Sequence, residues 1–235
     1  MLHIKKLGIY YGSFSATVEN LEFGPGIHVL LGENGSGKSS VLTGITGYDS
    51  SVITERELEI NNTPVEKTKD YISYLPQQNI SFQITVEDFI KMTAASSLSQ
   101  KDVQQTLRNF ELEKFQYSSA DSLSGGEFKR ALCAQLHLEG KPVMMFDEIE
   151  QGLDINYQHL VMSWLKDLSR EKVIIMAMHD LNLALRYADT VTCMKEGTLT
   201  EVKVPVKEVH ESMLTHTFSR EMKIIHFEGK LIAVS

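Results

Sequence analysis

Cysteine is scarce. Cys133 and Cys193 are far apart and form no C-x-x-C pair. That leaves no disulfide framework and suits a reducing cytosol, with both thiols read as core residues. Long apolar runs are lacking too: no stretch approaches the roughly 20 residues of a membrane span. The N-terminus, Met1-Leu2-His3-Ile4-Lys5-Lys6, has no apolar signal core. The expectation is a chain made and kept in the cytoplasm, reaching a membrane only through a partner. Basic charge is in deficit, with a net charge of −8 and pI ≈ 5.5. Nucleic-acid proteins depend on neutralising phosphate, so nucleic acid is an unsuitable partner. Repeats and low-complexity segments are absent.

What is present is a full core. Hydrophobic residues make up 42% of 235, enough for one large α/β domain with a smaller lobe inserted. Gly32-Glu33-Asn34-Gly35-Ser36-Gly37-Lys38-Ser39 fits G-x-x-x-x-G-K-[ST]. A short buried strand, Ile27–Leu31, leads into it, and Ser40–Ile45 has the apolar spacing of a helix leaving it. That context turns the pattern into a phosphate-binding loop. The glycines let successive N–H groups point inward as an anion nest, and the helix adds its positive end. Lys38 is expected on the β- and γ-phosphates, the Ser39 hydroxyl on Mg²⁺. Taken alone, this loop means nucleoside triphosphate and nothing about purpose.

The rest of the pattern is strand and helix in alternation. Residues 2–11 and Phe14–Leu21 read as strands, with Gly24-Pro25-Gly26 as a turn. Tyr48–Lys69 reads as turn-rich, with an edge strand at Glu57–Ile60. Tyr71–Leu75 is strand-like. Val86, Phe89, Ile90, Val103, Leu107 and Phe110 have helical spacing, so 85–118 is expected to be a helical lobe. A long helix follows from about Gly126 to Glu139, then strands at Val143–Phe146 and Val173–Ala177, a helix at Leu181–Tyr187, and two hairpins in the tail. Continuous apolar strands between amphipathic helices predict a mostly parallel sheet covered on both faces.

Asp147 and Glu148 close an apolar strand, where a phosphate-binding-loop protein needs a carboxylate for its metal. Glu148 can take a proton from an attacking water. Leu123-Ser124-Gly125-Gly126-Glu127 is a second candidate anion nest opening a helix. An ordinary serine cap with a capping-box acid would also explain that stretch.

With these motifs in this order, the chain resembles the ATP-binding-cassette (ABC) ATPases, whose signature is L-S-G-G-[QE]. The resemblance covers residues 3 to 235. It implies a P-loop NTPase core (about 1–84 and 123–235), an N-terminal antiparallel β subdomain and an inserted α-helical subdomain at about 85–122, all one ABC ATPase domain. ATP and Mg²⁺ are the implied cofactors. The implied nucleotide contacts are Tyr11 (or Tyr10) on adenine, Gly32, Asn34, Gly35, Ser36, Gly37, Lys38, Ser39 and Ser40. Ser124, Gly125, Gly126, Glu127 and Asp154 of a second copy would complete the site. Mg²⁺ falls to Ser39, Gln77 and Asp147, with Gln78 an alternative to Gln77. Glu148, His179 and Gln77 are the implied catalytic residues. Two departures stand out. Asp147-Glu148 is followed by Ile149 and Glu150 where the family usually has proline and then threonine or serine. Lys129 stands where glutamine is common.

Within the family, there is no room between Ser39 and Leu123 for the long coiled coils of DNA-repair members. A single cassette does not fit the translation factors, and a fused exporter would need membrane spans. His179-Asp180-Leu181-Asn182-Leu183-Ala184 with Ala188-Asp189 looks like the run found in ATPases that import iron–siderophore, haem or cobalamin. The resemblance therefore implies a homodimer on the cytoplasmic face of the membrane, serving integral permease subunits and, indirectly, an extracytoplasmic binding protein. The alternatives are a soluble ABC ATPase of iron–sulfur assembly or regulation, the ATPase of an exporter, and a nucleotide-binding module with little turnover.

Overall fold

The computed structural model describes residues 1–48, 50–77, 82–94 and 98–235. Gln78, the alternative to Gln77, lies outside them. The chain runs β1 (Leu2–Tyr11), β2 (Phe14–Phe23), β3 (Gly26–Leu31), α1 (Lys38–Thr46), β4 (Ile53–Ile60), β5 (Thr63–Pro64) and β6 (Ile72–Leu75). Then come α2 (Val86–Lys91), α3 (Gln100–Asn109), α4 (Gly125–Glu139), β7 (Val143–Asp147), α5 (Ile155–Leu168), β8 (Val173–Ala177) and α6 (Leu181–Tyr187). The chain closes with β9 (Thr190–Lys195), β10 (Thr198–Pro205), α7 (Glu211–Phe218), β11 (Lys223–Phe227) and β12 (Lys230–Val234).

The central sheet has the order β10-β9-β3-β8-β7-β6. It is parallel from β9 to β6, and β10 adds an antiparallel edge. Strands β3, β7 and β8 are buried along their whole length, as continuous apolar runs require when both faces are covered. The period of two is plain in β7. Met144 and Phe146 join the core under α4, α5 and α6, while Val143 and Met145 face α1 and the second sheet. That second sheet is antiparallel, in the order β2-β1-β4-β5. One face of the parallel sheet is therefore covered by helices and the other by α1 backed with β structure.

Helices α2 and α3 form the expected lobe, each opened by a hydroxyl cap: Thr85 for α2 and a Ser99–Asp102 capping box for α3. Their buried residues Val86, Phe89, Leu107 and Phe110 merge with the core of the sheet, so the lobe is fused to it.

Two elements differ from expectation. Strand β4 begins at Ile53 and is flanked by β1 and β5 instead of forming the edge. Its alternating glutamates are held by ion pairs, Lys6 to Glu55 at 2.9 Å and Lys5 to Glu59 at 2.5 Å. Helix α7 is an addition. It is short, rich in Thr and His, and capped by the His210 ring in place of a hydroxyl, so it lacks the usual start signal.

Candidate active site

The site is built at the C-terminal ends of β3, β7 and β8, where a doubly covered parallel sheet opens its crevice. The chain leaves β3 at Leu31, turns through residues 32–37 and enters α1 at Lys38. Gly37 has φ +107° and no side-chain cap follows it, so the first N–H groups of α1 are left for a ligand. A Cβ at Gly37 would collide with the ring of Phe14. The Ser36 Oγ is buried and has no partner among the described residues, an unmet donor at the floor of the loop. The Lys38 ammonium is buried and donates to the carbonyls of Gly32 (2.9 Å) and Glu33 (3.0 Å). Burial lowers its pKa, and the negative field of Glu148, Asp147 and Glu150 acts the other way.

At the end of β7, Asp147 Oδ1 accepts from Ser39 Oγ at 3.0 Å. Burial, joined by the charge of Glu148, raises the Asp147 pKa, and the Ser39 hydrogen bond acts the other way. A hydroxyl and a buried carboxylate meeting beside an anion nest form a hard oxygen set of the kind Mg²⁺ uses. Among the described residues no group of three His, Cys, Asp or Glu could hold a metal on its own.

Glu148 is buried and adopts φ +54°, a left-handed conformation costing a non-glycine residue about 1–2 kcal/mol. The turn is fixed by the Glu148 N–H donating to Ala177 O at 3.0 Å, and it aims the carboxylate into the cavity. There Oε2 accepts from Gln77 at 2.6 Å and from Gln151 at 2.5 Å. The ring of His179 contacts Oε1 through Nε2.

These groups line one cavity of about 470 Å³, together with Tyr11, Asn34, Gly35, Gly37, Lys38, Ser39 and Ser40. Tyr11 lines it and Tyr10 does not, as expected for neighbours on opposite faces of a strand. Gly32 and Ser36 are not among the residues that line it. A Cβ at Gly32 would strike the Met194 carbonyl. Phe14 and Gln151 also line it, and neither was singled out from the sequence. Gln151, three residues after Glu148 in a turn, carried a weak positional signal; Phe14 carried none.

Ser124, Gly125, Gly126, Glu127 and Asp154 are not part of this cavity. Ser124 caps α4 in a capping box, its N–H and hydroxyl donating to Glu127 Oε2 at 2.9 and 2.7 Å. Those hydrogen bonds lower the Glu127 pKa. Asp154 caps α5, accepting from the N–H groups of Asn156 and Tyr157 at 2.9 and 3.2 Å. Within one chain, both act as helix caps, each contributing about 1 kcal/mol.

The model of the ABC transporter family matches residues 20–151. The hemin import ATP-binding protein of Vibrio cholerae is 30% identical over 188 residues, covering 74% of this chain and 73% of its own. A metal-chelate type ABC transporter solved in an inward-facing conformation superposes with TM-score 0.80 at 22% identity, over 99% of this chain and 95% of that one. A dimeric ATP-binding cassette in a post-hydrolysis state with ADP and phosphate gives TM-score 0.72 at 24% identity, over 85% and 97%.

Proposed function

This chain belongs to the ABC transporter family, and from that premise we propose that it is the ATP-hydrolysing subunit of a metal-chelate importer, of the iron–siderophore, haem or cobalamin kind. The observation that carries the ATPase reading is the convergence of Gln77, Gln151 and His179 on the Glu148 carboxylate at the mouth of the phosphate-binding loop.

In this reading ATP lies in the 470 Å³ cavity, with its triphosphate on the N–H groups of residues 34–40 and its adenine against Tyr11. Lys38 exchanges the carbonyls of Gly32 and Glu33 for phosphate oxygens. Ser39, Gln77 and Asp147 are the residues that would hold Mg²⁺, which when bound neutralises charge on the phosphates. Glu148 accepts the proton of the attacking water. Its two amide partners and His179 set the direction of its lone pairs, and His179 also senses the terminal phosphate.

The Ser124–Glu127 segment does not line this cavity, which supports reading it as serving the nucleotide of a second copy placed head to tail, with Asp154 crossing between the sites. The chain works as one domain with a helical subdomain at about 85–122. A second cavity of about 800 Å³, lined by Tyr48, Phe82, Phe89 and Met92, shares Gln77 with the ATP cavity. That shared residue supports reading the groove as the seat of a permease segment, with the chain peripheral at the cytoplasmic face of the membrane. No helix among the described residues is long and apolar enough to cross a membrane. Import of a metal chelate is supported by the similarity to the Vibrio cholerae hemin import ATP-binding protein.

The test is to purify the chain with whatever membrane proteins accompany it. Mg²⁺-dependent ATP hydrolysis, stimulated when a multi-span permease and a loaded binding protein are present, is the expected result. Recovery free of membrane and of any integral partner would replace the importer with a soluble ABC ATPase.

A further inference from the structure

The two departures from the family pattern, Lys129 and Glu150, meet at one turn. Residues 148–151 leave β7 without the usual proline, yet the turn is tied down from several sides. From α4, Lys129 Nζ donates to the carbonyls of Glu148 (3.3 Å), Ile149 (3.4 Å) and Gln151. From within the turn, Glu150 Oε1 accepts the backbone N–H of His179 at 2.9 Å. From α5, Gln158 donates to the Glu150 carbonyl at 3.0 Å. Ile149 is 1% exposed and seated in the core, and Glu150 is 4% exposed.

The chemistry of the pair is complementary. Three carbonyls converging beside the carboxylates of Asp147, Glu148 and Glu150 make a strongly negative turn, and a cation is the donor that both bonds it and offsets its charge. A neutral glutamine at 129 would supply two N–H groups and no charge. The buried Glu150 Oε2 has no partner among the described residues, and the carboxylate bonds through its other oxygen to the peptide of His179. A threonine side chain is two atoms shorter and would not extend as far as that peptide from the same backbone.

We infer that Lys129 and Glu150 are positioning residues that hold Glu148 and His179 in register and link both to the signature helix. Lys129 lies five residues after Ser124, about 7.5 Å along α4. A displacement of the Ser124–Glu127 end, caused by a partner's nucleotide, is thereby delivered to the peptide that aims Glu148, and through Glu150 to His179. This rests on the ATPase reading above and adds the route by which one site informs the other.

The experiment compares the full-length chain with Lys129→Met, Lys129→Arg, Glu150→Ala and Glu150→Gln in steady-state ATP hydrolysis. Lys129→Met and Glu150→Ala are expected to lower kcat about tenfold with KM for ATP held within about twofold, the signature of an interaction that acts on the chemical step. Lys129→Arg keeps the charge and donors, and Glu150→Gln keeps an acceptor for the His179 N–H, so both recover most of kcat. The Lys129→Met, Glu150→Ala double variant falls no further than the worse single one, because both act on one turn. Lys129 is only half-buried, so its variants carry the test even where Glu150→Ala does not fold. A folded Lys129→Met chain with wild-type kcat overturns the inference. So does a parallel loss of nucleotide affinity, turnover and melting temperature, which marks a fold defect. A wild-type chain with no ATPase activity, alone or with its membrane partners, instead removes the functional reading along with the inference.

Discussion

The hydroxyl of Ser39 donates to Asp147 Oδ1 across 3.0 Å, joining residues 108 positions apart in the chain. The bond links the first turn of α1 to the end of β7. It brings together two of the three side chains assigned to Mg²⁺ and buries the carboxylate in the process. Its raised pKa, a consequence chiefly of burial, is the state an adjacent cation would reverse.

Replacing Asp147 by Asn keeps the size and the hydrogen-bonding oxygen and removes the charge. Hydrolysis should fall about a hundredfold or more, since the metal supplies several kcal/mol to phosphoryl transfer. Nucleotide affinity should also lose its dependence on Mg²⁺. Binding isotherms with and without EDTA measure this, and an undiminished response to the metal would contradict the assignment.

Glu148→Gln should retain ATP and lose turnover by about two to three orders of magnitude, because the amide cannot take a proton. With ATP trapped, the chain should elute as a dimer in light-scattering chromatography. Undiminished hydrolysis would remove Glu148 from its assigned role.

Lys38→Ala should weaken ATP binding by about one to two orders of magnitude, the worth of a charge-assisted hydrogen bond of about 1.5–3 kcal/mol. Equilibrium binding of a fluorescent nucleotide measures it. Unchanged affinity would mean that the ammonium stays on the Gly32 and Glu33 carbonyls when nucleotide is present.

Burial pushes the Cys133 thiol up to about 12 and the Cys193 thiol up to about 11. Only the thiolate reacts, and at pH 8 such groups are ionised to about one part in ten thousand and one in a thousand. A thiol reagent should therefore label neither cysteine in the native chain at pH 8 and both after denaturation. Labelling should become measurable in the folded state only as pH rises toward those values. Rapid native labelling at pH 8 would show that the core opens.

Much of this architecture is readable in the residues themselves because the core strands are apolar on both faces. Val143–Phe146 and Val173–Ala177 could hardly be anything else, and Leu181–Tyr187 matches α6 end for end. The phosphate-binding loop is legible because its chemistry is contiguous. Helix α7 was not, since Thr215, His216 and Thr217 obscure its apolar side and its cap is a histidine. The part of β4 from Ile53 to Arg56 was hidden by its polar residues, among them Glu55, whose charge is met by Lys6 on the neighbouring strand. Within the site, Gln151 and Phe14 are not legible in the sequence because their role is spatial. Lys129 and Glu150 were visible as oddities, but their meeting required three elements to be packed first.

The phosphate-binding loop is also held from outside. Phe14, in the β1–β2 hairpin, occupies the space above Gly37, and Gly197, in the turn after β9, donates to the Ser36 carbonyl at 2.9 Å. Two hairpins from different sheets thus grip one nest. The loop is ordered by folding, so nucleotide meets a preformed seat and little of its binding energy is lost to ordering it. In hydrogen-exchange terms, the amides of residues 33–37 should open together with the two hairpins and not as an independent flexible loop.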